Sequence, residues 1–364
     1  MKKSLLIATL VGAALTSCVS ESQEYPTPQQ ELTFGVSMLK QSRTDYIQGE
    51  ITGKQYPVNE KFMVYSIYYT GAYQGWTTSA GVGNYFADNG EAAKHQNSYW
   101  ETDVVHYWPD AGYNLAFAAY SPAELPTAPD SIVQTATGLV IKNFKTEPIA
   151  DNQFDLMYSA RVVDKNKANN GGKEVQLVFN HALSSISFSS VKAGNDVNYQ
   201  ITDLRLKGTF VQQGTFNQGI TGRTVEGMYV ETENPTWSLV DPTASITYKP
   251  SFAAFNVPSG TPLQFTSGTS AMLLIPQDIP SDATVEVTYT KTTNPGTDNV
   301  KVLENTIDIP LSSFKDTENS TAITTWERGK RYIYRIAFGE NTQIYFKPEI
   351  TDWVTVPTLV YTIQ

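Results

Sequence analysis

This sequence predicts an all-β protein built as two tandem β-sandwiches, and three observations carry the prediction. Short alternating runs of apolar and polar residues recur along the chain, bounded by Gly, Pro, Asn and Asp, as strands are bounded by turns. Strand-favouring aromatics are abundant, with 21 Tyr and 16 Phe, and long helical periodicity is almost missing. Finally, 364 residues exceed one ordinary core, since single domains usually hold about 100–200 residues. The stretch "VVDKNKANNGGKE" (162–174) interrupts an apolar context with charge, Asn and a Gly pair. It divides an N-terminal sandwich, residues 31–172, from a C-terminal one, residues 173–364.

The elements follow in order. Met1-Lys2-Lys3 is a positive start, and "LLIATLVGAAL" from Leu5 to Leu15 is an apolar run of eleven residues. That is shorter than the about 20 residues a bilayer span needs, so residues 1–17 read as an export signal. Residues 18–30 end in the polar, Pro-containing "VSESQEYPTPQQ", a flexible tether. The first strand is Leu32 to Met38. Further strands are "FMVYSIYY" from Phe62, "LAFAAY" from Leu115, "VQLVF" from Val175, "TVEVTYT" from Thr284 and "RYIYRIAF" from Arg331. Between Trp108 and "LAFAAY", Pro109 cannot donate to a ladder and Gly112 supplies turn geometry. In "ISFSSV" from Ile186, Ile186 and Phe188 make an apolar face and the serines a wet one, so a one-sided sheet is expected. "AMLLI" (Ala271 to Ile275) is continuously apolar, as expected of a central strand covered on both faces. Trp353, near the end, is expected to plug a core.

Chemistry is sparse. Formal net charge is −10, or −12 once a leader carrying Lys2 and Lys3 is removed, and nucleic acid calls for the opposite sign. A single cysteine, Cys18, leaves no disulfide partner and no thiolate metal set. The histidines His95, His106 and His181 show no i, i+4 pairing, and the last two sit among apolar residues as hydrogen-bonded structural histidines do. Asp164-x-Asn166 with Asn169-Asn170-Gly171 faintly suggests a calcium loop but lacks its fifth-position Asx and closing Glu, so a solvated loop is the better reading. No G-x-S-x-G, phosphate loop or H-E-x-x-H occurs, and no enzyme, metal or cofactor is indicated. A glycosidase carboxylate pair is a matter of separation in space, which no motif here singles out. Trp76, Tyr85, Tyr99, Trp100, Tyr107 and Trp108 cluster in the first half. They fit either core filling, the commoner use of aromatics in a sandwich, or an exposed platform for sugars.

Two resemblances add to this reading. Leu15-Thr16-Ser17-Cys18 resembles the lipobox of bacterial lipoproteins, which implies a diacylglyceryl lipid on Cys18 as the first mature residue. Five stretches in order resemble the fimbrillin family of Bacteroidetes-type fimbriae: "YWETDVVHYWPDAGYNLAFAAYSP" (Tyr99 to Pro122), "FDLMYSA" (Phe154 to Ala160), "VQLVFNHALSSISFSS" (Val175 to Ser190), "AMLLIPQDI" (Ala271 to Ile279), and "WERGKRYIYRIAFG" running on to "ITDWVTV" (Trp326 to Val356).

The family resemblance implies two transthyretin-like Greek-key β-sandwich domains and a structural, non-enzymatic role as a subunit of a type V pilus-like fimbrium. It implies an outer-membrane lipoprotein precursor at the cell surface. A trypsin-like maturation protease cuts after the first strand, that strand leaves, and a strand of another fimbrial subunit fills the groove by β-augmentation. Arg43 in "KQSRTDY" is the expected cleavage site, with Lys40 and Lys54 as other basic positions. The tail "VTVPTLVYTIQ" (Val354 to Gln364) is either the donor or the last strand of the second domain. A stalk subunit needs a free donor tail, whereas tip or anchor subunits can lack one, and an accessory or tip role is favoured. Asp130-Ser131-Ile132 is similar to an O-glycosylation acceptor used in such bacteria, with Ser131 as the modified residue. A host protein or glycan is a further expected partner. The alternative is a monomeric surface carbohydrate-binding lipoprotein.

Overall fold

In the computed structural model, the described residues are 30–38, 56–77, 82–96, 98–125, 128–170, 172–316, 322–339, 345–352 and 358–363. They are nearly all in strands and turns, as the sequence predicts.

The first half is organised by strand Phe62–Thr70, which pairs antiparallel with Tyr113–Ser121 from Met63 opposite Tyr120 to Thr70 opposite Tyr113. From there Met157–Ser159, Val175–His181, Phe34–Met38, Tyr99–Thr102 and Glu91–Gln96 pair in succession and return to Phe62–Thr70. The expected sandwich is thus closed at its edges into a ring of seven strands. Side-chain alternation explains the ring. Phe62, Val64, Leu115, Phe117 and Ala119 point into its core, which also holds Phe34, Val175, Leu177 and Phe179. The intervening Tyr65, Ile67, Tyr69, Ala116, Ala118 and Tyr120 point outward and are buried too, against Leu139, Ile141, Phe144 and Phe216. Those last four belong to a four-stranded sheet of Ser131–Thr135, Gly138–Lys145, Gln213–Asn217 and Thr236–Leu239. With both faces covered, "FMVYSIYY" and "LAFAAY" carry almost no polar alternation.

The second half packs a sheet containing Ser184–Lys192 and Lys330–Phe338 against one built on Val197–Gly208, Thr284–Thr293 and Lys301–Pro310. In Val197–Gly208 the inward residues change phase, from Tyr199 and Ile201 to Leu204 and Leu206. A register shift between Ile201 and Asp203 accommodates the extra residue, as a bulge does. Each large side chain buried here contributes about 1.5–3 kcal/mol of transfer free energy.

Strand Val175–His181, placed by sequence at the start of the second sandwich, pairs with Phe34–Met38 and Met157–Ser159 inside the ring. The chain changes sheets between His181 and Ser184, past the 172/173 border. Residues 213–239 likewise complete a sheet with residues 131–145.

The wet serine face is corrected. Ser185, Ser187 and Ser189 are buried, and their hydroxyls have no hydrogen-bond partner among the described residues. Ser185 stands opposite Leu273, which packs into the cluster with Leu139 and Phe216. That face begins at a boundary between layers, so a neighbouring sheet covers it where solvent was expected. "AMLLI" behaves as anticipated: Met272 and Leu274 enter the second core, while Leu273 and Ile275 enter the layer between the halves.

A hairpin of Ile220–Val225 and Met228–Glu233 lies against the ring. Arg161 Nη1 donates to Glu231 Oε1 at 2.7 Å, and Tyr73 Oη donates to the same oxygen at 3.1 Å.

Candidate functional site

The first strand, Phe34–Met38, is an internal stave of the ring. It runs parallel to Val175–Phe179, with Phe34 opposite Val175, Val36 opposite Leu177 and Met38 opposite Phe179. On its other side it meets Tyr99–Thr102 antiparallel through Phe34 and Trp100. Its entry is tied by Leu32 N donating to His106 O at 2.8 Å and Trp108 N donating to Gln30 O at 2.9 Å. Leu32 and Phe34 are buried and Val36 is half-buried, all packed in one core, whereas Thr33 and Ser37 lie on the opposite, less covered face. Phe34 is fully buried, at 0% exposure. Its ring stands edge-on to Phe62, Phe86 and Phe117, with centroids 6.2, 6.4 and 5.6 Å away, the preferred aromatic geometry.

After Met38 the described chain resumes at Tyr56, and Tyr56 is a second plug in the same core. Its ring stacks on Phe179 at 5.3 Å and stands edge-on to Phe62 at 5.7 Å. Its hydroxyl lies 2.7 Å from Ser121 Oγ and donates to Lys61 O at 3.1 Å. Burial drives the phenol well above its ordinary acidity range, with the Ser121 hydrogen bond partly opposing this. The segment carrying Arg43 is therefore held at each end by a buried aromatic side chain. Sequence reasoning missed Tyr56 because "KQYPVNE" is polar and lacks alternation; a lone Tyr before Pro gives little signal.

Cys18, Arg43, Lys40, Lys54 and Trp353 lie outside the described residues. Ser131 is half-buried and opens strand Ser131–Thr135, opposite Lys142. Its neighbour Asp130 donates its N–H to Lys142 O at 3.0 Å and accepts from Asn143 Nδ2. The tail is found in its own sheet: Thr358–Ile363 pairs parallel with Lys330–Phe338, Val360 opposite Arg335 and Ile363 opposite Phe338, and antiparallel with Tyr345–Asp352. Of the two roles open to it, the last-strand role is the one adopted here.

The histidines are structural. His181 Nδ1 lies 2.8 Å from Asp155 Oδ2 in a buried pair, and His106 Nε2 lies 2.9 Å from Glu91 Oε2. Asp164 accepts hydrogen bonds from Tyr69 Oη and Tyr73 N, each at 3.0 Å, so its carboxylate secures a turn. No three carboxylate, His or Cys side chains converge on a metal-sized site among the described residues. Of the aromatic cluster, Trp76, Trp100 and Trp108 are buried, and Tyr107 is exposed. Core filling accounts for Trp100 and Trp108.

Comparison with known proteins agrees with this architecture. A family model described as fimbrillin-like matches residues 33–353. The chain is 23% identical over 254 residues to the fimbrium subunit Fim1C of Phocaeicola vulgatus, a match covering 67% of this chain. The chain spans 64% of the length of that relative. Among solved structures, a fimbrial protein from Bacteroides vulgatus superposes with a TM-score of 0.54 at 17% identity, over 88% of this chain and 99% of the other.

Proposed function

Because this chain belongs to the fimbrillin-like family, we propose that it is an accessory or tip subunit of a type V pilus-like fimbrium. It leaves the cell as an outer-membrane lipoprotein lipidated at Cys18. A trypsin-like protease then cuts after Arg43, Phe34–Met38 departs with the lipid, and a strand from another subunit takes its place.

The observation carrying this reading is the position of Phe34–Met38. It pairs along its length with Val175–Phe179 and at Phe34 with Trp100, sits in an aromatic core, and ends five residues before Arg43 in the sequence. Removing it leaves the N–H and C=O groups of Val175–Phe179 without partners beside an apolar slot, and a second strand of alternating pattern satisfies both needs. An accessory or tip position is supported by the tail, whose backbone pairs within its own sheet. Ser131, on the four-stranded sheet, is the proposed O-glycosylation position.

N-terminal sequencing of the subunit recovered from assembled fimbriae tests the proposal. A start at Thr44 is expected; a chain still beginning at Cys18 in the fibre overturns it.

A further inference from the structure

A cleft of about 460 Å³ opens beside strand Phe62–Thr70, apart from the slot of the first strand. Its floor includes Tyr65 and Trp76, and its walls carry Thr77, Asn84, Asp88 and Gln134. Three separate excursions of the chain build it: residues 75–77, the turn 84–88, and the end of Ser131–Thr135.

Two features mark it as more than a gap between loops. Tyr65 is 4% exposed and lines the cleft. Its ring packs near Tyr120 at 6.2 Å, and its hydroxyl has no hydrogen-bond partner among the described residues. Trp76 is held in place by Arg161, whose guanidinium carbon lies 5.2 Å from the ring centroid. That guanidinium is committed to Glu231 and to the carbonyls of Thr135 and Ala136. Nothing cationic lines the cleft among the described residues, and the chain is negative overall, so an anionic ligand is disfavoured.

We propose that this cleft binds a neutral saccharide unit. Amide, carboxylate and hydroxyl groups ring an aromatic floor, which suits vicinal hydroxyls around an apolar C–H face, and the volume falls in the range of small-molecule sites, about 300–1,000 Å³. A sugar hydroxyl supplies a partner for Tyr65, while Asn84 and Asp88, which hydrogen-bond to each other, have a further N–H and carboxylate lone pairs to donate and accept at the rim. The site is independent of strand exchange and stands whether or not that occurs.

The test uses the full chain, with ligand-observed NMR and calorimetry against the methyl glycosides of glucose, galactose, mannose, fucose and N-acetylglucosamine, lactose and cellobiose, and glucuronate as the charged control. At least one neutral compound should bind, with glucuronate weaker. Tyr65→Phe, which removes only an unpaired hydroxyl, and Asp88→Asn, an exposed position, should each weaken that binding about five-fold, the effect of one lost hydrogen bond. Far-UV circular dichroism matching the parent and a cooperative thermal transition establish that both variants are folded. Absence of binding by every neutral glycoside, preference for glucuronate, or unchanged affinity in either variant overturns the assignment.

Discussion

Phe34 and Tyr56 both set their rings edge-on against Phe62, at 6.2 and 5.7 Å, from opposite ends of the segment that carries Arg43. One core therefore grips the chain on each side of the proposed cut. Cleavage alone does not release Phe34–Met38, because the ladder to Val175–Phe179 and the aromatic contacts outlast the peptide bond. Exchange requires a competing strand.

Phe34→Ala is expected to destabilise the uncut precursor by about 3–5 kcal/mol, the usual cost of emptying a fully packed aromatic site. Urea denaturation of uncut and strand-exchanged protein separates the two states. The exchanged form should be indifferent to the substitution, since its slot no longer holds Phe34, and an equal loss in both forms contradicts strand departure.

Arg43→Ala should yield lipidated subunits that remain membrane-bound and absent from fibres. Membrane fractionation with mass spectrometry of the N-terminus reads this directly. Fibres containing the variant, cut at Lys40 or Lys54, would move the site; fibres containing it uncut would remove the mechanism.

Arg161→Met should cost about 3–5 kcal/mol, because it strands Glu231 in a largely buried position. The pair is 2.7 Å apart, with side chains 2% and 14% exposed, and it pins the 220–233 hairpin to the ring. The double variant Arg161→Met/Glu231→Gln should recover part of that loss. Thermal unfolding of the singles and the double closes the cycle, and strict additivity shows that the ion pair does not couple the two residues.

Stability should fall on the alkaline side. Burial pushes Tyr120 up to about 12, and burial, partly opposed by Arg328, does the same for Tyr158; Tyr56 and Tyr334 are driven higher. The unfolded chain ionises these phenols near pH 10. The folded state keeps its protons where the unfolded state loses them, so this contribution is complete below pH 10 and is lost as pH rises through about 12. Urea midpoints between pH 9 and 11.5, followed with phenolate absorbance, should decline together with a delayed phenolate signal; a flat midpoint contradicts it.

Much of the fold was legible because strand patterning is local. Leu32, Phe34 and Val36 alternate in the sequence and pack in one core, and "AMLLI" reads as doubly covered because both of its faces meet apolar layers. Ring closure was not legible: it depends on Phe62–Thr70 choosing Tyr113–Ser121, a pairing no short window encodes. Ser185 and Ser187 misled for a related reason, since a serine face looks identical whether water or another sheet lies over it. For the site, the first strand was readable and Tyr56 was not. The saccharide cleft draws on Trp76 from the aromatic cluster, while Tyr65 was hidden in an apolar strand.

The closed ring has a consequence for timing. With Phe34–Met38 in place, the edge of Val175–Phe179 that faces it is taken up, from Phe34 opposite Val175 to Met38 opposite Phe179, and open edges are what recruit a neighbouring molecule. In the proposed mechanism an uncut precursor can therefore accumulate at high concentration without self-associating through this slot, its own first strand acting as an intramolecular chaperone. In that mechanism hydrolysis of one backbone bond, rather than crowding, sets when growth of a fibre can begin.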